Sequence, residues 1–265
     1  MKTHSAKSLS MAEIQEKIKQ TFNPTQDQTL IDLVCNYLKK HKEDYTEFDA
    51  KRWISIMADS KYDSKVEDDN SEHIEFDLIK KYKSIRNIGL LFHLSRKGIP
   101  LSIAKKYLIQ LKVFDPMAQK KYPVLGFPHE KEGFIVSSPL YDYWLGKRAI
   151  SFVQGQDSKT KIVYIFPTFW DYLSLLSYWK CQHLQVNVII LNFYDCIEQV
   201  KKFIYKNGYK KVYTWLSNDS AGLEASRQLF PILKREENLL HIKANELYKP
   251  FATVEQWHHQ KTKKK

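Results

Sequence analysis

Ile162-Val163-Tyr164-Ile165-Phe166 leads into an amphipathic stretch from Phe169 to Trp179, and the same alternation recurs twice downstream. Val186 to Leu191 precedes Cys196 to Tyr205, and Val212 to Leu216 precedes Ala221 to Phe230. Short continuous apolar runs rich in β-branched and aromatic residues, each followed by a helical period, are the pattern of parallel strands buried on both faces. The reading predicts, over residues 158 to 246, a parallel sheet of three or four strands with helices on both faces. In such sheets ligands meet the carboxyl ends of the strands, which here lie near Pro167, Asn192 and Ser217 to Asp219.

Upstream the chain has a different character. Tyr122 to Phe127, Gly133 to Ser138 and Ala149 to Val153 read as short strands between turns, an antiparallel meander. Before them, helical spacing runs from Glu72 through Leu78, Ile79, Tyr82 and Ile85, then through Ile88 to Leu94, with a further helix from Leu101 to Leu111 after Gly98 and Pro100. Met11 to Gln20, Gln28 to His41 and Asp49 to Ala58 read as helices, and the polar stretch Asp59 to Ser71 as a linker. The fold class expected is α+β. Residues 1–70 form a helical region and linker, 71–157 a helical linker plus an antiparallel strand module, and 158–265 an α/β domain with a basic tail.

The 265 residues are 43% hydrophobic and 14% aromatic, ample for a packed core. No apolar run is long enough to cross a bilayer and the first residues lack an apolar leader core, so a cytoplasmic protein without a membrane partner is expected. Cys35, Cys181 and Cys196 form no CxxC pair, and a zinc ribbon is not expected. A formal charge of +12 favours polyanions such as DNA or RNA. Lys147, Arg148, Lys210, Lys211 and the tail Lys261-Thr262-Lys263-Lys264-Lys265 are the expected phosphate contacts.

Several motifs, in order, resemble the Toprim domains of primases, topoisomerases and small nucleases, in particular the primase-like proteins of bacterial mobile elements. That family opens with a strand ending in Glu-Gly and an Asp on the helix that follows. Phe166-Pro167-Thr168-Phe169-Trp170-Asp171 matches it, with Pro167 at the Glu position. The family's Asp-x-Asp followed by Ala-Gly looks like Ser217-Asn218-Asp219-Ser220-Ala221-Gly222, keeping only the second Asp. A later Tyr and Lys-Asp-x-Asn element looks like Tyr248 through Phe251-Ala252-Thr253-Val254-Glu255, with Thr253 at the Asp. Upstream, Gly126-Phe127 and Gly133 to Ser138 resemble framework strands whose Glu and Arg have become Ile135 and Ser137. The likeness covers roughly residues 86 to 257. Residues 1–70 match nothing, and the zinc ribbon usual at the relatives' N-terminus is absent.

The resemblance implies metal-assisted phosphoryl chemistry, in which strand-end carboxylates hold Mg²⁺ and the metal neutralises developing charge. Asp219 and Asp171 are the candidate catalytic residues, and Asp219 is the candidate metal ligand. Both have structural alternatives: Asp171 in a first helical turn suits the helix dipole, and Asp219 suits an N-cap. With Pro167, Ser217 and Thr253 at three acidic positions, the expectation is a degenerate Toprim-like protein without a cofactor. It would bind nucleic acid or a protein partner in replication, mobile-element or defence processes. The alternative is an active Mg²⁺-dependent nuclease or primase whose site is rebuilt from Asp219, Asp171 and Asp195 or Glu198. A third reading is a structural subunit that docks through Tyr141, Tyr143 and Trp144.

Overall fold

The computed structural model describes residues 76–116, 119–139, 142–236 and 238–263. The helices and linker read before residue 72, Tyr141 and the last two lysines lie outside the described residues.

Strands β1 (Asp77–Tyr82), β2 (Ile109–Asp115), β3 (Lys120–Pro128), β4 (Phe134–Ser137) and β5 (Asp142–Leu145) follow one another in a five-stranded antiparallel sheet in chain order. Helices α1 (Ile88–Arg96) and α2 (Leu101–Tyr107) fall between β1 and β2. A second sheet holds β6 (Ser151–Val153), β7 (Ile162–Phe166), β8 (Asn187–Ile190), β9 (Lys211–Thr214) and β10 (Leu240–Lys243), in the order β10-β9-β7-β8-β6. Its helices are α3 (Phe169–Tyr178), α4 (Val200–Asn207), α5 (Ser220–Lys234) and α6 (Val254–Lys263), with 3-10 segments at Tyr194–Gln199 and Ala244–Tyr248. The molecule is α+β, as expected.

Three expectations are corrected. The helix read through Leu78, Ile79, Tyr82 and Ile85 is strand β1 up to Tyr82. Helix formation starts only where Asn87 supplies a cap, its side chain accepting from the Leu90 N–H at 3.1 Å. The exposed Lys80 and Lys81 suit a sheet edge. The helix from Leu101 stops at Tyr107 because the next residues alternate, burying Leu111 and Val113 in β2. The strand in Ala149 to Val153 leaves the meander and pairs antiparallel with β8, with Ser151 opposite Ile190. Asn192, at φ 61°, fixes that edge by donating to the Ala149 carbonyl (2.8 Å) and Ser151 Oγ (2.9 Å).

The chain divides into two compact units, Met1–Lys81 with Leu111–Val124 and Ser137–Asp142, and Tyr82–Gln110 with Leu125–Val136 and Tyr143–Lys265. The first contains most of β1, the outer part of β2 and the start of β3, with Leu111, Val113 and Val124 fully buried. The second contains the whole parallel sheet. There β10, β9, β7 and β8 run parallel, with Tyr164 opposite Tyr213 and Val188, and Ile242 opposite Tyr213. One face bears Tyr164, Phe166, Val188, Ile190 and Trp215 and is packed by α3 and α6 through Tyr172, Leu173, Leu176 and Val254. The opposite face bears Val163, Ile165, Ile189 and Val212 and is packed by α4 and α5 through Val200, Ile204, Ala225 and Leu229. Each fully buried aliphatic side chain contributes about 2 kcal/mol, so the two faces hold the strand ends in fixed register. Among the described residues, no helix is long and apolar enough to cross a membrane.

Candidate functional site at the carboxyl edge of the parallel sheet

Strand β7 ends at Phe166, and Pro167 and Thr168 turn the chain into α3. Thr168 is the N-cap: its hydroxyl accepts from the Asp171 backbone N–H (3.1 Å) and donates to Asp171 Oδ2 (2.6 Å). The other carboxylate oxygen, Oδ1, accepts from the backbone N–H of Glu255 (3.1 Å) at the start of α6. Asp171 thus braces two helix N-termini. It is 2% exposed, and burial raises its carboxyl well above the ordinary range, to about 6. The neighbouring Glu255 pushes the same way, while the Thr168 hydroxyl, the Glu255 N–H and Lys97 offset part of the rise. Lys97 pairs with Glu255 at 2.7 Å and lies 4.7 Å from the centre of the Trp170 ring.

At the end of β9 Asp219 is the N-cap of α5. Its Oδ1 accepts from the Gly222 N–H (2.9 Å) and from Ser217 Oγ (2.6 Å). With the Ser217 proton committed to Asp219, the Tyr194 hydroxyl, 3.0 Å away, donates to Ser217 Oγ. Asn218, between them, ties down the chain's last segment. Its backbone N–H donates to the Ala252 carbonyl (2.7 Å), and its side-chain amide donates to the Asn245 (3.0 Å) and Phe251 (2.9 Å) carbonyls. Asn245 returns a bond to Asn218 Oδ1 at 2.8 Å. The buried Tyr248 hydroxyl donates to the Leu216 carbonyl. Thr253 caps α6 by accepting from the Gln256 N–H (3.1 Å), and Gln256 Oε1 accepts from the Ala252 N–H (3.1 Å). Asn218→Ala removes three side-chain bonds and is expected to cost about 2 kcal/mol in urea denaturation; wild-type stability would count against this bracing role.

Mg²⁺ requires several oxygens with free lone pairs in near-octahedral array. Asp171 is enclosed with both oxygens engaged, and Asp219 Oδ1 already accepts two bonds. Asp195 pairs with Arg148 at 2.9 Å, and Glu198 pairs with Lys201. Among the described residues, no three His, Cys, Asp or Glu side chains are grouped to hold a metal ion. The described residues at this edge do not fit a Mg²⁺ centre.

Of the expected phosphate contacts, the four that precede the tail fall at opposite ends of the parallel strands. Lys147 and Arg148 precede β6, whose Ser151 pairs with Ile190 at the carboxyl end of β8. Lys210 and Lys211 stand at the amino end of β9. Lys147, Lys210 and Lys211 are exposed. The Arg148 guanidinium lies over Trp144 (4.1 Å) and Phe193 (4.7 Å), whose rings meet edge to face at 5.1 Å. Tyr143 and Trp144 are half-buried neighbours with ring centres 5.8 Å apart. Asn218 lies within the Ser217 to Asp219 strand end expected from the sequence, but its partners Asn245 and Phe251 are 27 and 33 residues away. Tyr194, bonded to Ser217, stands at no helical or strand period that would have marked it.

No protein-family model matches the chain, and no curated protein does either. Among solved structures, the chain is similar to the crystal structure of the primase fragment of the bacteriophage T7 primase-helicase protein, at 12% identity and a TM-score of 0.47, over 73% of this chain and 78% of that one.

Proposed function

We propose that the second unit is a Toprim-like scaffold whose strand-end acids serve as structural caps, and that the protein binds nucleic acid rather than cutting or copying it. The observation that carries this reading is the engagement of Asp171 and Asp219 in capping bonds at the carboxyl edge. Pro167, Ser217 and Thr253, where the resemblance asks for acids, favour the same conclusion: Ser217 and Thr253 bond their own chain, and Pro167 offers no side-chain oxygen. The rebuilt-site alternative would need Asp195 and Glu198 to leave Arg148 and Lys201 and converge on Asp219. The setting proposed is replication, mobile-element or defence processes.

The partner class follows from the charge of +12. Binding to phosphates by exposed lysines releases counterions, so affinity falls with salt and depends little on base sequence. Titration of labelled single- and double-stranded oligonucleotides is expected to show binding at low ionic strength. Affinity should weaken about 40-fold for duplex and about 20-fold for single strands between about 50 and 200 mM salt if about three phosphates are neutralised. Absence of binding to any DNA or RNA at low salt would overturn the reading and redirect the search to a protein partner.

A further inference from the structure

The face of the parallel sheet packed by α3 and α6 is covered unevenly. Register places its side chains in rows across the strands. Nearest the carboxyl edge, Phe166 and Trp215 stack at 5.6 Å and are buried. In the next row, Tyr164 and Tyr213 stand 5.1 Å apart, half-buried, beside Ile242. The outermost row holds Ile162, Lys211 and Leu240, with Leu240 53% exposed. Helix α3 ends at Tyr178. The next residue, Trp179, is 43% exposed and meets Trp215 edge to face at 5.9 Å, and Trp215 in turn lies 5.7 Å from Tyr164, so Trp215 links the indole to the tyrosine row.

Lysines flank these rings along the chain. Lys180 follows Trp179 at φ 53° and is exposed. Lys211 shares the sheet face, and Lys210 precedes it. The backbone N–H groups of both Lys210 and Lys211 donate to the Lys161 carbonyl (2.7 and 3.1 Å), which brings a fourth lysine to the same end of the sheet. Exposed and half-buried aromatic rings with cations nearby in the chain match a chain of bases joined by phosphates. Duplex bases are already stacked on one another, whereas single-stranded bases can stack on protein rings.

We propose that Trp179, Tyr164 and Tyr213, with Lys180, Lys210 and Lys211, form a platform on this sheet face that binds single-stranded DNA or RNA. The platform rests on the nucleic-acid reading above and assigns it a location on this face of the sheet. Bases stack on Trp179 and the tyrosine row while the lysines take the phosphates, so the contact tolerates any sequence.

The test is fluorescence anisotropy of the full-length protein with a labelled oligothymidylate of about 15 nucleotides, at about 50 and 200 mM salt. Trp179→Ala, at an exposed position, is expected to weaken binding about tenfold at both salt concentrations, because stacking is not screened. Lys211→Gln is expected to weaken it mainly at low salt and flatten the salt dependence. Tyr213→Phe, which keeps the ring, is expected to bind as wild type. Wild-type protein that binds no oligonucleotide would overturn the nucleic-acid reading and the platform together. Binding by wild type that is matched by both Trp179→Ala and Lys211→Gln would overturn the platform alone.

Discussion

Asp171→Ala is expected to be about 2 kcal/mol less stable than Asp171→Asn at pH 7. Alanine leaves the Glu255 N–H and the Thr168 hydroxyl without their partner inside the protein, and each unmet buried group costs about 1–3 kcal/mol. Asparagine keeps an oxygen for the Glu255 N–H and removes the buried charge. A carboxylate serving a metal would instead give two variants of similar stability, since neither supplies an anionic ligand. The same residue sets a pH dependence. Its native value, about 6, lies above the ordinary 3.8 of the unfolded chain, so between about pH 4 and 6 the native state holds a proton that the unfolded state has lost. Stability therefore falls as pH rises through that window and levels off above it, by about 3 kcal/mol in all. Asp171→Asn is expected to abolish this slope and to equal or exceed wild-type stability at pH 7. Urea denaturation at several pH values measures both effects, and an unchanged slope in Asp171→Asn would contradict the assignment.

Gly222→Ala is expected to be the most damaging single methyl in the carboxyl edge, costing about 3 kcal/mol. A Cβ at this position would lie 2.0 Å from the Ser217 carbonyl oxygen and 2.7 Å from its carbonyl carbon. The obstacle is backbone, which cannot rotate away. Relief requires the first turn of α5 to move off Ser217, which breaks the Gly222 N–H bond to Asp219 and with it the cap. The shift in the denaturation midpoint reads the cost directly. A Gly222→Ala protein with wild-type stability would mean that the loop and helix do not approach as closely as described.

The α/β pattern was legible because burial on both faces leaves a continuous apolar run, and β7 begins and ends where Ile162 to Phe166 do. Helix α5 was legible only to Phe230. Pro231 marks a helix end in sequence, yet the helix continues to Lys234 because Ile232 and Leu233 are buried against the sheet. Strand β10 escaped notice because Leu240-His241-Ile242-Lys243 is a short edge strand with little buried surface. Strand β1 imitated a helix because Leu78, Ile79 and Tyr82 satisfy helical and extended spacing alike, and pairing decided between them. At the carboxyl edge, Asp171 and Asp219 were legible as positions and also as caps. Which donors each would meet depended on Glu255 and Gly222, and the first of these lies 84 residues away from Asp171. The aromatic platform was hidden for another reason. Tyr164 and Tyr213 sit inside apolar runs, which read as core although both side chains are only half-buried.

The central claim is that these acids brace helices and do not assist phosphoryl chemistry. Its most direct test pairs wild type with Asp219→Ala in cleavage and primer-synthesis assays on single- and double-stranded substrates, with Mg²⁺ and with Mn²⁺. The account predicts no metal-dependent product from either protein, while oligonucleotide binding by wild type persists. A metal-dependent product formed by wild type and lost in Asp219→Ala would contradict it and establish a rebuilt catalytic site around Asp219.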